Sequence, residues 1–388
     1  MDKALKKDIW LYYLFSFLIG FYIANGTTVL FARELHLSYS QIFLLTAVYM
    51  LMFVLFEIPS GALADLIGRK KTIIFGGVAL VAAAVCSGLA QNFLQLFLSY
   101  FLWSIGFSSI SGANEALLYD RVSDQEIFSQ AVGRSGFFWI VGTAVAGIVG
   151  PYLFSLNFRL PYLASAIPFF LAALAILPFA ETRPAQGQFS LPRHWEQIKT
   201  GIQIGYRNKF VLWGSAVLAL IFATSYTFSN SYQPYLVDLG FSVKMFSVIL
   251  PVMFLTQALG SFLFPKLLLF RESRLFAFCL LAIAAATMGL GASHVKGALA
   301  IVFFYMFLEG VARPLVSAYS NRYIDSFHRA TVISVQSMVG TVTAAAMLFL
   351  IGMLTDRIGI HNVLLVLGAF ILLVSIVLLM FKPKDQTA

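Results

Sequence analysis

The residues best placed to do chemistry are an acid and a base one helical turn apart. Glu309 and Arg313 stand in the apolar stretch FFYMFLEGVARPLV. Four residues of helix advance about 6 Å along the axis, so the two side chains share a face. Glu309 can carry a proton or bind a cationic group, with Arg313 biasing its ionisation. A neutralised pair that only holds the fold is the alternative. Glu57, in LFEIPSGALAD, is followed by Pro59. It is a proton site or a partner for backbone groups freed near the proline. Glu115, in SGANEALLYD, is a third acid, for coupling, for a gate or for the headgroups. Asn25, Tyr226 and Asn230 are uncharged polar groups at depth, with Asn114, Gln257 and Gln336 beside them. They touch substrate or bridge helices.

Other chemistries lack their residues. The five histidines fall in loops or at span ends, so no pair can hold a haem within the membrane. No GxxxxGK[ST] pattern is present to bind ATP phosphates. Cys86 and Cys279 each lie deep in an apolar run, unlike a disulfide framework. Neither a cofactor nor a metal ion is expected, and an enzyme or a channel is the weaker alternative.

The elements that must position these groups are membrane spans. Of the 388 residues, 60% are hydrophobic and 11% charged, with 39 phenylalanines. A soluble domain carries about 25% charged residues, so lipid must solvate much of this surface. Runs of about 20 apolar residues cross a bilayer as helices. Twelve are expected, near 9–32, 41–65, 72–90, 93–118, 133–155, 160–180, 210–236, 243–265, 275–293, 297–320, 331–354 and 361–381. The first is read as a retained span, because no cleavage site follows a short apolar core. Residues 1–180 and 210–388 are expected to form two bundles, and 181–209 a polar link whose 191–209 stretch is a helix on the cytoplasmic membrane surface or, alternatively, a plain solvated linker. With both termini cytoplasmic, inner loops and tails hold 20 Lys and Arg against 5 outside, in accord with the positive-inside rule. That surplus explains the net charge of +9 and faces the anionic leaflet. The halves echo each other faintly: Tyr119-Asp120-Arg121-Val122 ends span four and Ser320-Asn321-Arg322-Tyr323 ends span ten.

The most specific motif is GALADLIGRKK at 61–71, between spans two and three. Gly61 allows close helix approach. Asp65 is a carboxylate at a helix end, and Gly68 permits a tight turn. Arg69, Lys70 and Lys71 anchor the loop on the inner side. Motif, place and span count together resemble the major facilitator superfamily along the whole chain. The resemblance implies an all-α membrane protein of twelve helices in two pseudo-symmetric six-helix bundles. It implies a cytoplasmic gate in which Asp65 and Arg69 join Asp120 at the end of span four, with Gly61, Gly68 and Lys70 shaping the loop. It also implies that spans one, four, seven and ten line the cavity.

Three features depart from the family pattern. The stretch after span eight, GSFLFPKLLLFRESR at 260–274, lacks the aspartate. GMLTDRIG at 352–359 echoes the motif on the outer side, where Asp356 makes an external contact or caps a helix. Span five reads GTAVAGIVGPYLFS, an incomplete antiporter signature, and span four lacks the arginine of many drug–proton antiporters. The resulting expectation is a secondary transporter that exports a moderately apolar small molecule by alternating access, driven by the proton gradient. Proton-coupled uptake of a nutrient or metal chelate, and lipid flipping, are the alternatives. The expected partners are that small molecule and membrane lipids, with no nucleic acid; the expected state is a monomer in a bacterial inner membrane.

Overall fold

The computed structural model describes residues 2–122, 124–180, 191–324 and 328–383. Every regular element among them is helical. The first span is expected as one helix, but the structure divides it. α1 (Lys3–Gly20) gives way to a 3₁₀ turn, Ile23–Thr27, before α2 (Thr28–Glu34). The freed backbone groups find partners, as lipid requires. The Ala24 amide donates to Ser165 Oγ at 3.2 Å, and Thr27 Oγ1 donates to the Ala24 carbonyl.

The chain continues through α3 (Tyr39–Ile67), α4 (Arg69–Leu89), α5 (Phe93–Arg121), α6 (Gln125–Leu156) and α7 (Leu160–Ile176). α3 remains helical through Pro59. α8 (Leu191–Arg207) is the helix expected at 191–209, while 181–190 lies outside the described residues. Then come α9 (Lys209–Asp238), α10 (Phe246–Leu267), α11 (Glu272–Ala292), α12 (Leu299–Arg322) and α13 (Arg329–Met380). Among the described residues ten helical stretches are long and apolar enough to cross a membrane. One of these is α13, which holds two spans joined at Gly359. The shorter apolar helix α7 completes the expected twelve.

The chain packs as two compact units. The first comprises Met1–Leu37, Val48–Phe189 and Ser242–Pro251; the second comprises Ser38–Ala47, Ser190–Phe241 and Val252–Ala388. The first ten residues around the start of α3, and the ten that open α10, thus pack with the half opposite to their sequence order. In the first unit α4 packs on α5 and α7, and α1 packs on α6 and α7. In the second, α13 packs on α9 and α11, and α12 on α9 and α11.

The span-five glycines have a packing reason. A Cβ at Gly142 would sit 2.2 Å from the Phe17 carbonyl oxygen, and one at Gly150 would sit 2.0 Å from that of Ile23. Only glycine lets α6 approach the broken first span this closely, which is the usual role of small residues between membrane helices. Gly150→Val should therefore cost about 1–3 kcal/mol by overpacking. Gly133→Ala, where a new Cβ meets nothing within 4 Å, should leave the melting temperature of detergent-purified protein within experimental error of the parent.

Candidate functional site

Two constellations stand out, one in each unit. In the second unit, α12 carries Tyr305, Glu309 and Arg313 at successive turns, and α9 carries Phe222, Tyr226 and Asn230 at the same spacing. Glu309 is 5% exposed. Its Oε1 accepts from Arg313 Nη2 at 2.7 Å and from Nε at 3.1 Å. The arginine side chain is 47% exposed, so one partner faces open space while the other is buried. The Arg313 guanidinium also lies 5.9 Å from the Phe222 ring centre. Tyr226 and Tyr305 are within electrostatic reach of the pair. Tyr305 stacks on Phe228, ring centres 4.0 Å apart. Asn230 Nδ2 donates to the Tyr226 carbonyl, and Asn230 Oδ1 accepts from Thr46 Oγ1 at 3.0 Å.

Close packing fixes the height of Glu309. Its neighbour Gly310 lies against α10: a Cβ there would stand 2.0 Å from the Gln257 carbonyl oxygen. Ser261 Oγ, also on α10, donates to the Gly310 carbonyl at 2.9 Å. The carboxylate is thus held beside rigid backbone with a cation and aromatic rings around it.

In the first unit, charges gather at the α3–α4 turn. Arg69 forms an ion pair with Asp120, and its guanidinium also donates to the Ala116 carbonyl. The next residue along α5, Arg121, donates from Nε to Asp8 Oδ2 of α1 at 2.5 Å. Lys70 Nζ donates to the Phe179 carbonyl at 3.1 Å. Two consecutive residues at the end of α5 therefore tie down the turn on one side and α1 on the other. Asp65, on the last turn of α3, is exposed, and the Arg69–Asp120 pair forms without it.

The model of the Major Facilitator Superfamily matches residues 9–346 and, in a second register, 215–388. The chain belongs to the major facilitator superfamily. Among curated relatives it is 26% identical over 396 residues to the "Uncharacterized MFS-type transporter YxaM" of Bacillus subtilis, covering 96% of each chain. It is 24% identical to the "Multidrug resistance protein MdtL" of Vibrio parahaemolyticus, covering 100% of this chain and 98% of that one. Among solved structures it resembles the nucleoside transporter NupG, with a TM-score of 0.78 at 12% identity, covering 99% of this chain and 100% of that one. A bacterial homologue of the lysosomal transporter Spinster has a TM-score of 0.77 at 16% identity, covering 98% of both. This superfamily member is thus a membrane transporter with the shared helical fold.

Of the residues singled out in the sequence, Glu309, Arg313, Tyr226 and Asn230 lie together in the second unit. Arg69 and Asp120 pair in the first, beside Lys70 and the Gly68 turn, with Gly61 on the last turns of α3. Glu57 and Glu115 are exposed on α3 and α5, and Asn25 is exposed on the 3₁₀ turn of the first span. Glu57, Glu115 and Asn25 belong to the first unit, Glu309 and Arg313 to the second. Tyr305 and Phe222 were missed in the sequence, although each stands four residues from a group already noted on its own helix, or from Glu309 itself. Asp8 was missed because nothing local marks its partner, 113 residues away. Arg69 and Asp120 are about a quarter exposed, so a double-alanine cycle between them should give a coupling of about 0.2–1 kcal/mol. Asp8 is 4% exposed, so Arg121→Ala alone should cost about 3–5 kcal/mol by leaving a buried charge unpaired. Chemical or thermal unfolding of the purified variants measures both.

Proposed function

We propose that the protein is a proton-coupled exporter of moderately apolar small organic molecules, with Glu309 as the group that takes up and releases the proton. The observation carrying this reading is the buried Glu309 carboxylate paired to a half-exposed Arg313 among Phe222, Tyr226 and Tyr305. Protonating Glu309 removes one charge from the pair and frees Arg313 to turn toward open space. Deprotonation recreates the pair. A cargo that competes for the carboxylate is thereby exchanged against a proton, and the aromatic side chains offer it rings to stack on. The gradient supplies the energy, and no bound cofactor is needed.

The distribution of Lys and Arg supports a place in the bacterial inner membrane with both termini in the cytoplasm. In that orientation the Arg69–Asp120 and Arg121–Asp8 pairs stand on the cytoplasmic side and serve as the inner gate, with one chain as the transport unit. Export is favoured over uptake by two features: relatives named for multidrug resistance cover nearly the whole chain, and acids buried at depth are few.

Proteoliposomes test the proposal with two probes, ethidium as an apolar aromatic cation and uridine as a polar nutrient. A pH gradient should raise ethidium flux at least fivefold over its absence, and Glu309→Gln should reduce that gain to less than twofold while the protein stays folded. Equal ethidium flux with and without the gradient, or gradient-driven uridine flux alone, would overturn the reading.

A further inference from the structure

The last span of the second unit is followed by a lysine held among aromatic rings. Lys382 comes just after the end of α13. Its Nζ lies 5.6 Å from the ring centre of Trp213 on α9, 5.1 Å from that of Phe276 on α11 and 5.6 Å from that of Tyr319 on α12. The same nitrogen donates to Ser273 Oγ at 2.9 Å and to Glu272 Oε1 at 3.3 Å. All of these residues belong to the second unit.

The cage is built without help from the lysine. Trp213 meets Phe276 and Tyr319 edge-on, with ring centres 4.8 and 4.9 Å apart, and Phe276 meets Tyr319 edge-on at 5.4 Å. All three rings are buried. Trp213 Nε1 donates to the Leu378 carbonyl at 2.7 Å, which fixes the indole against α13. Glu272 is kept in place by a second cation, Arg322, at 2.9 Å. Removing the lysine would leave three rings, a carboxylate and a hydroxyl converging on one point. The cage is also no part of the repeat between the halves. Arg121 and Arg322 end spans four and ten 201 residues apart, and by that spacing Tyr319 corresponds to Leu118, which has no ring to offer.

Rings around a point with an acid beside it recognise an ammonium group, because the negative ring faces attract the cation. The distances select the kind of ammonium. A methyl carbon touches a ring at about 3.5–4.0 Å and is bonded to nitrogen at about 1.5 Å. A methylated nitrogen therefore stands about 5.0–5.5 Å from the ring. The separations found, 5.1 to 5.6 Å, match that figure. The Lys382 nitrogen carries hydrogens where methyl groups would stand, so it leaves this space unfilled.

We propose that the cage is a recognition site for methylated ammonium groups, separate from the Glu309 pair, with Lys382 as its tethered stand-in. The inference goes beyond the export reading and takes from it only the orientation, which puts the cage at the cytoplasmic surface of the membrane. Two sources carry the chemistry: free quaternary amines and the choline headgroup of a phospholipid. A quaternary group needs no hydrogen-bond acceptor, so the rings and the charge of Glu272 suffice to hold it.

Equilibrium dialysis of radiolabelled choline against the full chain in detergent tests this. The parent should bind weakly, because the tethered lysine competes, and Lys382→Ala should bind at least tenfold more tightly. Adding Trp213→Leu or Phe276→Leu to Lys382→Ala should remove most of that gain. Ethylammonium, which lacks the methyl groups, and the neutral carbon isostere of choline should compete at least tenfold less well than tetramethylammonium. Adding Glu309→Gln to Lys382→Ala should leave choline binding unchanged. In nanodiscs, weaker choline binding in phosphatidylcholine than in phosphatidylglycerol assigns the lipid headgroup as occupant, and equal binding assigns the free amine; both support the site. Equal choline affinity in Lys382→Ala and the parent would overturn the proposal. So would equal competition by the neutral isostere, binding that survives both ring variants, or loss of binding with Glu309→Gln. Failure of the export reading would appear in the flux assays and leave this binding as it is.

Discussion

A bilayer offers no water to a buried charge or a broken backbone, so each such group must be matched by the protein where it stands. This constraint decides the form of every unusual feature in the chain. The first span can unwind at Ile23–Thr27 because Ser165 takes the Ala24 amide and Thr27 takes the Ala24 carbonyl. Glu309 can sit 5% exposed because Arg313 gives one of its oxygens two hydrogen bonds. The start of α3 completes its local Ser38–Gln41 cap with Asp356, which accepts the Tyr39 and Ser40 amides. In each case the irregular group is matched by a side chain from another element or another turn of its own helix.

The charges at helix ends show how the two halves diverged from one plan. Arg121 and Arg322 occupy matching positions at the ends of spans four and ten, 201 residues apart. Each pairs with an acid of its own unit. Arg121 reaches Asp8 on α1, and Arg322 reaches Glu272 at the start of α11 at 2.9 Å. Glu272 also accepts from Lys382 at 3.3 Å, and that lysine is seated over the rings of Trp213, Phe276 and Tyr319. The residue before each arginine differs. Asp120 pairs with Arg69, whereas Asn321 carries no charge to pair. The faint repeat in the sequence therefore preserves the anchoring arginine and varies the gate residue beside it.

The helices, the motif turn and the Glu309–Arg313 pair were legible from sequence because each depends on contacts within a few residues. Apolar length makes a span, positive φ at a glycine makes the turn, and a spacing of four makes the pair. What could not be read depends on contacts far along the chain. The break in span one is accompanied by Gly142 and Gly150 of α6, which let that helix lie against the span's backbone. Asp65 was expected in the gate pair, yet the pair forms between Arg69 and Asp120 without it. Asp356 looked equally like a cap and an external contact. The structure shows the cap, and the helix that Asp356 caps is not its own.

The placement of the ionisable pair follows from the same asymmetry. Counting back 201 residues, Glu309 corresponds to Ser108 and Arg313 to Gly112 on α5. There the Ser108 carbonyl accepts from Ser60 Oγ at 3.0 Å, and Gly112 faces the Ser60–Gly61 backbone of α3. Ser108 is buried in this packing, while a Cβ at Gly112 would meet α3 only at ordinary contact distance, 3.5 Å from Ser60 Oγ. In the second unit the matching face of α12 turns a carboxylate and a guanidinium toward the Phe222–Tyr226–Asn230 stripe, and the close contact shifts one residue along, to Gly310 against Gln257. One half of the repeat thus spends this level of the span on holding α3 to α5, while the other keeps it for a titratable group. A charge at depth is costly, so the Glu309 carboxylate needs a set of neighbours built to satisfy it.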